Sequence, residues 1–255
     1  MKKIIIIFGL IFIATPFAFS KILMNPYLQA MDSRDFSIAV LTETDSPYSV
    51  IVGYSFGNKI KYDTSNSYKL TTEKTYIHRN YLRNLTPSVE YKYWIIDDGK
   101  KIYESNFKSP VDSNEPFTFG IFGDMRSGIK KHNQIAGLLA ERNPHFSVYL
   151  GDLCYRHDYS YWKDEFFTEN ELKLISKVPF SNAVGNHEDW KPNTEAFLEG
   201  VPKESNHHAY YDYYYGDIHF IVISTEHRFS KGSEQYNFIK NVLQNSKGKF
   251  KVVSM

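Results

Sequence analysis

Three short apolar stretches in the second half of the chain end the same way, in glycine followed by a side chain that offers a hard oxygen. They are Phe122-Gly123-Asp124, Leu150-Gly151-Asp152 and Val184-Gly185-Asn186-His187-Glu188. Each Gly-Asp or Gly-Asn pair alone is an ordinary turn signal; three, each straight after a strand-like run, form a pattern. In open α/β sheets ligands bind beyond the carboxyl ends of the strands, so parallel strands would bring Asp124, Asp152 and Asn186 to one edge. Clustered carboxylates repel one another, and a bound divalent or trivalent cation is the usual reason to collect them. Glycine before each oxygen donor lets the backbone turn sharply and come close to the ion. The chemistry expected of these residues is that of a metal site.

The elements that must position the three turns follow from periodicity and punctuation. Strands are expected at Phe117–Phe122, Phe146–Leu150, Phe180–Val184, His219–Ser224 and Phe250–Val253. Between the first two, Ile129 to Arg142 places Ile135, Leu138 and Leu139 at helical spacing, and Pro144 closes the segment. Ser233 can cap a second helix carrying Phe238, Ile239, Val242 and Leu243 on one face. Strands alternating with helices predict a layered α/β unit with part of its sheet parallel. The preceding 22–110 reads differently, as short strands at Phe36–Leu41, Ser49–Tyr54, Tyr68–Leu70, Thr75–Leu82, Glu90–Ile96 and Ile102–Phe107. Turn signals such as Gly57-Asn58 and Asp97-Asp98-Gly99 separate them, which predicts a β-sandwich. The polar, Pro-flanked segment Ser109 to Pro116 reads as the linker.

Composition bounds the partners. With 30 Lys+Arg against 29 Asp+Glu over 255 residues, no basic excess marks a nucleic-acid surface. One cysteine excludes an internal disulfide framework and a Cys-rich zinc site. The 42% apolar content is too high for a disordered chain. At the start, Met1-Lys2-Lys3 precedes an uncharged apolar run from Ile4 to Ala14, and Ala18-Phe19-Ser20 offers a small-residue cleavage site. Residues 1–20 are thus expected to be a bacterial-type signal peptide cut near Ser20, too short to span a bilayer. The destination is secreted or periplasmic, with no membrane attachment after cleavage.

Gly-Asp, then Gly151-Asp152-x-x-Tyr155, then Gly185-Asn186-His187-Glu188 resembles the calcineurin-like metallophosphoesterases, and specifically the purple acid phosphatases. Asn25 to Gln29 and Leu82 to Tyr91 look like the fibronectin-III-like domain that precedes the catalytic domain in that family, and Tyr214 to Phe220 is similar to a later strand of it. The resemblance implies a two-domain fold: an all-β, fibronectin-III-like sandwich at 21–111, then an incomplete α/β metallophosphoesterase layered sheet at 117–255. It implies two metal ions, a ferric ion plus divalent iron, zinc or manganese, acting on a small phosphoester. Asp152 would bridge the ions, Asp124 and the Tyr155 phenolate would complete the ferric one, and Asn186 would bind the other. His187 would hydrogen-bond the phosphate or protonate the leaving alkoxide, with Glu188 orienting its imidazole. Two ions about 3.5–4 Å apart activate water and clamp an in-line displacement.

This sequence also departs from the family's pattern. Where the family's first motif has glycine two residues after the aspartate, this chain has Arg126, either a fork onto phosphate oxygens or a solvated loop arginine. Cys154 could become reactive beside a metal or simply fill space, and Tyr155 could pack rather than ligate. The family's Val-x-x-His and Gly-His-x-His motifs are not in these residues, and Val252-Val253-Ser254-Met255 looks like the first of them short of its histidine. The chain is therefore expected to be an N-terminal piece of a longer hydrolase, inactive by itself. The rival readings are a phosphodiesterase or nucleotidase on the same scaffold, and a non-catalytic secreted binding protein.

Overall fold

A computed structural model describes residues 21–34, 36–65, 67–70, 75–188, 191–198 and 209–255, so the expected signal peptide lies outside the described residues. Eight strands come first: β1 (Ile22–Asp32), β2 (Ser37–Thr44), β3 (Ile51–Phe56), β4 (Lys59–Thr64), β5 (Ser67–Leu70), β6 (Tyr76–Leu82), β7 (Glu90–Asp97) and β8 (Lys100–Lys108). The turn signals act as read. Phe56 pairs with Lys59 across Gly57-Asn58, and Asp97 pairs with Lys100 across Asp98-Gly99. Asp98 (φ 44°) and Gly99 (φ 74°) are both left-handed, the backbone a two-residue hairpin needs to match strand twist. Two of the eight strands do not stand out in the pattern. The side chains of β4 are almost all exposed, as suits a lysine-rich strand at a sheet edge. In β1, Pro26 and three register shifts against β2 interrupt the alternation.

The α/β pattern then begins. It comprises β9 (Phe119–Phe122), α1 (Ile129–Arg142), β10 (Phe146–Leu150), α2 (Tyr159–Tyr161) running into a π-helical turn (Trp162–Phe166), α3 (Glu169–Ile175) and β11 (Phe180–Ala183). α4 (Pro192–Phe197), β12 (Tyr211–Tyr215), β13 (Ile218–Val222), α5 (Glu234–Asn245) and β14 (Phe250–Ser254) follow. Strands β9, β10 and β11 are mutually parallel, with Tyr149 opposite Phe122 and Leu150 opposite Ala183, so their carboxyl ends share one edge. β12 runs antiparallel to β13, and β14 parallel to it.

The two halves are not separate sheets. β1 pairs in parallel with β11 through Gln29 and Phe180, giving one seven-stranded sheet in the order β5-β6-β2-β1-β11-β10-β9. The four-stranded sheet β4-β3-β7-β8 and the three-stranded sheet β12-β13-β14 complete the set among the described residues. Strand β10 is buried on both faces from Phe146 to Tyr149, as expected of a central parallel strand. Phe146 and Val148 face the cluster shared with Leu28, Val40, Tyr93, Tyr213 and Phe220, while Tyr149 faces Trp162, Phe166 and Phe180.

Helix α1 corrects the face read from its spacing. Its buried residues are His132 and Ala136, whereas Ile135 and Leu138 are 46% and 62% exposed. A polar contact decides this. His132 Nε2 meets Glu171 Oε2 of α3 at 2.7 Å with both side chains fully buried, and the Asn170 amides bond to Asn133. A satisfied buried pair outweighs the exposure of two aliphatic side chains, because leaving either charge-bearing group buried alone would be far costlier. α5 forms with Ser233 as its cap, the hydroxyl accepting from the Tyr236 amide at 3.2 Å, but Leu243 of the expected face is exposed. Among the described residues no helix is long and apolar enough to cross a membrane.

Phe146 joins the sheets: its ring stacks on Phe119 at 5.2 Å, meets Phe220 edge-on at 5.3 Å and lies 4.3 Å from Tyr215. Phe146→Ala is expected to cost about 3–5 kcal/mol, read as a lowered urea midpoint. A loss below about 1 kcal/mol would show that this junction collapses without strain.

Candidate functional site

The three glycine turns meet as their spacing suggests, and they interlock. Gly151 has φ 80°, and a methyl group on it would lie 2.7 Å from the Gly185 nitrogen. A methyl on Gly185 would lie 2.1 Å from Asp152 Oδ1 and 2.4 Å from its amide nitrogen, so no side chain fits there. The turns after β9 and β10 are tied by backbone bonds, Asp124 N to Gly151 O at 3.0 Å and Met125 N to Asp152 O at 3.1 Å. Asp124 (φ 51°) and Asp152 (φ 53°) are themselves left-handed, which short polar side chains tolerate best. Such strained positions cluster where a surrounding structure over-determines them.

Asp124 and Asp152 converge on one cation, the guanidinium of Arg126. Its Nη1 bonds Asp124 Oδ1 and lies 2.8 Å from Asp152 Oδ2. Of the two readings of Arg126 the solvated loop arginine gives way: the head group is half-buried and paired within the site. His187 joins through its amide, which reaches Asp152 Oδ1 at 3.4 Å. Tyr155 is brought beside His187, ring to ring at 5.2 Å, and is 45% exposed. Asn186 is exposed on the turn between Gly185 and His187.

Glu188 does not orient the imidazole. His187 Nδ1 bonds the Tyr155 carbonyl oxygen at 2.8 Å; a carbonyl only accepts, so Nδ1 carries the proton and Nε2 is the nitrogen left for chemistry. Glu188 is fully buried and accepts from the amides of Asp152 at 3.2 Å, Leu153, Cys154 at 3.2 Å and Gly185 at 2.9 Å. Its carboxylate staples the turns after β10 and β11 together. Burial raises its pKa, opposed by backbone bonds from its own amide and those of Cys154 and Leu153. Cys154 is buried beside it, and burial first, then the Glu188 charge, pushes its thiol far above the usual range. It fills space.

Two supports were not legible from spacing. Glu165, in the π-helical turn, accepts from the Tyr155 amide at 2.6 Å, while its carbonyl bonds His132 Nδ1 at 3.0 Å. Glu171 also takes the Tyr149 hydroxyl, linking α3 to β10. No sequence motif marks these partners, because each bond crosses between elements.

The donors fit a cation in chemistry. Asp124 and Asp152 already share one positive group, and Tyr155 and Asn186, on the neighbouring turns, carry hard oxygens, although among the described residues no three His, Cys, Asp or Glu side chains form a ready metal cluster. Glu188→Gln places an amide donor against backbone donors and is expected to cost about 1–3 kcal/mol in chemical denaturation; an unchanged midpoint would remove the staple. Cys154 is expected to resist iodoacetamide at pH 8 in the folded protein and to react on unfolding, since only the thiolate is nucleophilic. Mass spectrometry showing rapid native labelling would place the thiol in a different environment.

No protein-family model matches the chain. Among curated proteins it is 31% identical over 206 residues to "Probable inactive purple acid phosphatase 1" of Arabidopsis thaliana, covering 66% of this chain and 33% of that protein. It is 34% identical over 113 residues to "Nucleotide pyrophosphatase/phosphodiesterase" of Hordeum vulgare, covering 37% of this chain and 30% of the relative. The structure of purple acid phosphatase PPD1 from yellow lupin (Lupinus luteus) seeds superposes with a TM-score of 0.72 at 23% identity, covering 89% of this chain and 50% of that one. The chain spans about a third of the length of the curated relatives it matches. The chain is therefore similar to proteins named probable inactive purple acid phosphatases over about two thirds of its length, and it shares the fold of a purple acid phosphatase.

Proposed function

We propose that the protein is a secreted dimetal phosphoester hydrolase of the acid phosphatase type, with a fibronectin-III-like unit at 21–111 and a catalytic unit at 117–255. The observation that carries the reading is the convergence of Asp124, Asp152 and the His187 turn at the carboxyl edge of three parallel strands. Metal ions bound there would polarise the phosphoryl group and acidify a water. Asp152 and Asp124 would hold them, with Asn186 through its amide oxygen and Tyr155 as phenolate, a ferric ion being the suited partner of the latter. His187, its Nδ1–H held by the Tyr155 carbonyl, would present Nε2 to the substrate: neutral it accepts a hydrogen bond, protonated it donates to a phosphate or leaving oxygen. Glu188 keeps the Asp152 and Gly185 turns at fixed separation, so it acts on geometry and not on protons.

A diester reading is favoured by the name of the barley relative, and a non-catalytic one by the names of the Arabidopsis relatives. The test uses the product of the whole reading frame with p-nitrophenyl phosphate and its bis-ester, in the presence of iron, zinc or manganese. Monoester cleavage is expected, and Asp152→Asn is expected to lower kcat by at least about a hundredfold with loss of bound metal, since a neutral amide is a poor bridge between cations. Faster bis-ester cleavage would move the assignment to phosphodiesterase; metal-loaded protein without turnover of either ester would favour the binding protein.

A further inference from the structure

Arg126 lies on the loop between β9 and α1. A guanidinium on a loop is ordinarily solvated, yet this one is 22% exposed and sets a single nitrogen, Nη1, against carboxylates from two different strand ends. Its Nε has no acceptor among the described residues, so the two ion pairs are what hold the head group. Its own amide also bonds Asp152 O at 3.3 Å, placing the stem against the turn that it neutralises. Like-charged carboxylates this close raise each other's energy unless a cation lies between them.

We infer that Arg126 is a tethered counter-cation: its guanidinium supplies to Asp124 and Asp152 the positive charge that a metal ion would otherwise provide, and it competes with any metal for them. The inference rests on the cation-site reading above for its second half only; the first half concerns side chains of this chain alone. Because both cations need the same oxygens, the coupling is reciprocal: whatever stabilisation Arg126 gives the unliganded carboxylates is subtracted from metal affinity. Arg126 is then a positioning residue that sets how readily the site loads, with no contact to substrate required.

The test is a set of variants of the full chain, checked for native circular dichroism. In EDTA, Arg126→Ala is expected to lower Tm by a few degrees and Arg126→Lys by less, because lysine keeps the charge but loses the planar fork. In an Asp124→Asn/Asp152→Asn background Arg126→Ala is expected to have no effect on Tm, since the neutral amides need no counter-charge. By calorimetric titration with manganese, Arg126→Ala is expected to bind about tenfold tighter or more than the unaltered chain. An unchanged Tm in EDTA, or the same loss in the amide background, overturns the counter-cation. Equal or weaker manganese binding by Arg126→Ala overturns the competition and leaves the phosphoesterase reading intact. If neither form binds manganese while the EDTA coupling holds, the counter-cation stands and the metal reading falls.

Discussion

Negative charge gathered at one sheet edge must be neutralised where it is gathered, and the architecture around Asp152 answers that single constraint. Asp124 and Asp152 are drawn to the Arg126 guanidinium, and Glu188 is surrounded by four backbone amides. The two solutions differ in kind. Amide donors bound into a folded loop cannot be exchanged for another ligand without unfolding it, whereas a guanidinium on a flexible stem can swing aside. The buried carboxylate therefore fixes the frame, and the exchangeable cation sits at the exposed position, where Asp124 is open to solvent.

The frame extends inward through polar bonds embedded in aromatic packing. From Tyr155 the chain of contacts passes through Glu165 to His132, Glu171 and Tyr149, the last lying on the strand that delivers Asp152. Tyr149 is fully buried and burial drives its hydroxyl pKa well up, reinforced by the Glu171 charge, so it remains a donor throughout the physiological range. A fully partnered network of this kind is rigid because breaking one bond strands the others in a low-dielectric interior. The same logic explains why α1 turns two aliphatic side chains to solvent.

The pairing of β1 with β11 makes the first eight strands more than an appendage. Gln29 and Phe180 lie opposite each other, and Tyr27 stacks on Phe180 at 6.3 Å while donating its hydroxyl to the Phe197 carbonyl at 2.8 Å. Lys163 and Tyr159, just beyond the Tyr155 turn, both bond the buried carboxylate of Glu43 on β2. Strands far away in sequence thus support the loop that carries Tyr155, whose carbonyl holds the His187 ring.

Local chemistry made much of this legible in advance. Gly57-Asn58, Asp98-Gly99 and the three Gly-Asp or Gly-Asn turns act through backbone conformations that depend on the residues themselves, and the boundaries of α1 and β10 follow from patterns within one element. The resemblance carried by Gly151 to Tyr155 and Gly185 to Glu188 is likewise local. What only the tertiary structure decided are the partners: that Glu188 serves the backbone and not His187, that Arg126 faces two aspartates, that α1 buries a histidine, and that β1 seats against β11. Each depends on which groups from distant segments meet in a dry interior, where an unpaired polar group costs more than an exposed aliphatic one, and no spacing within a single segment encodes that choice.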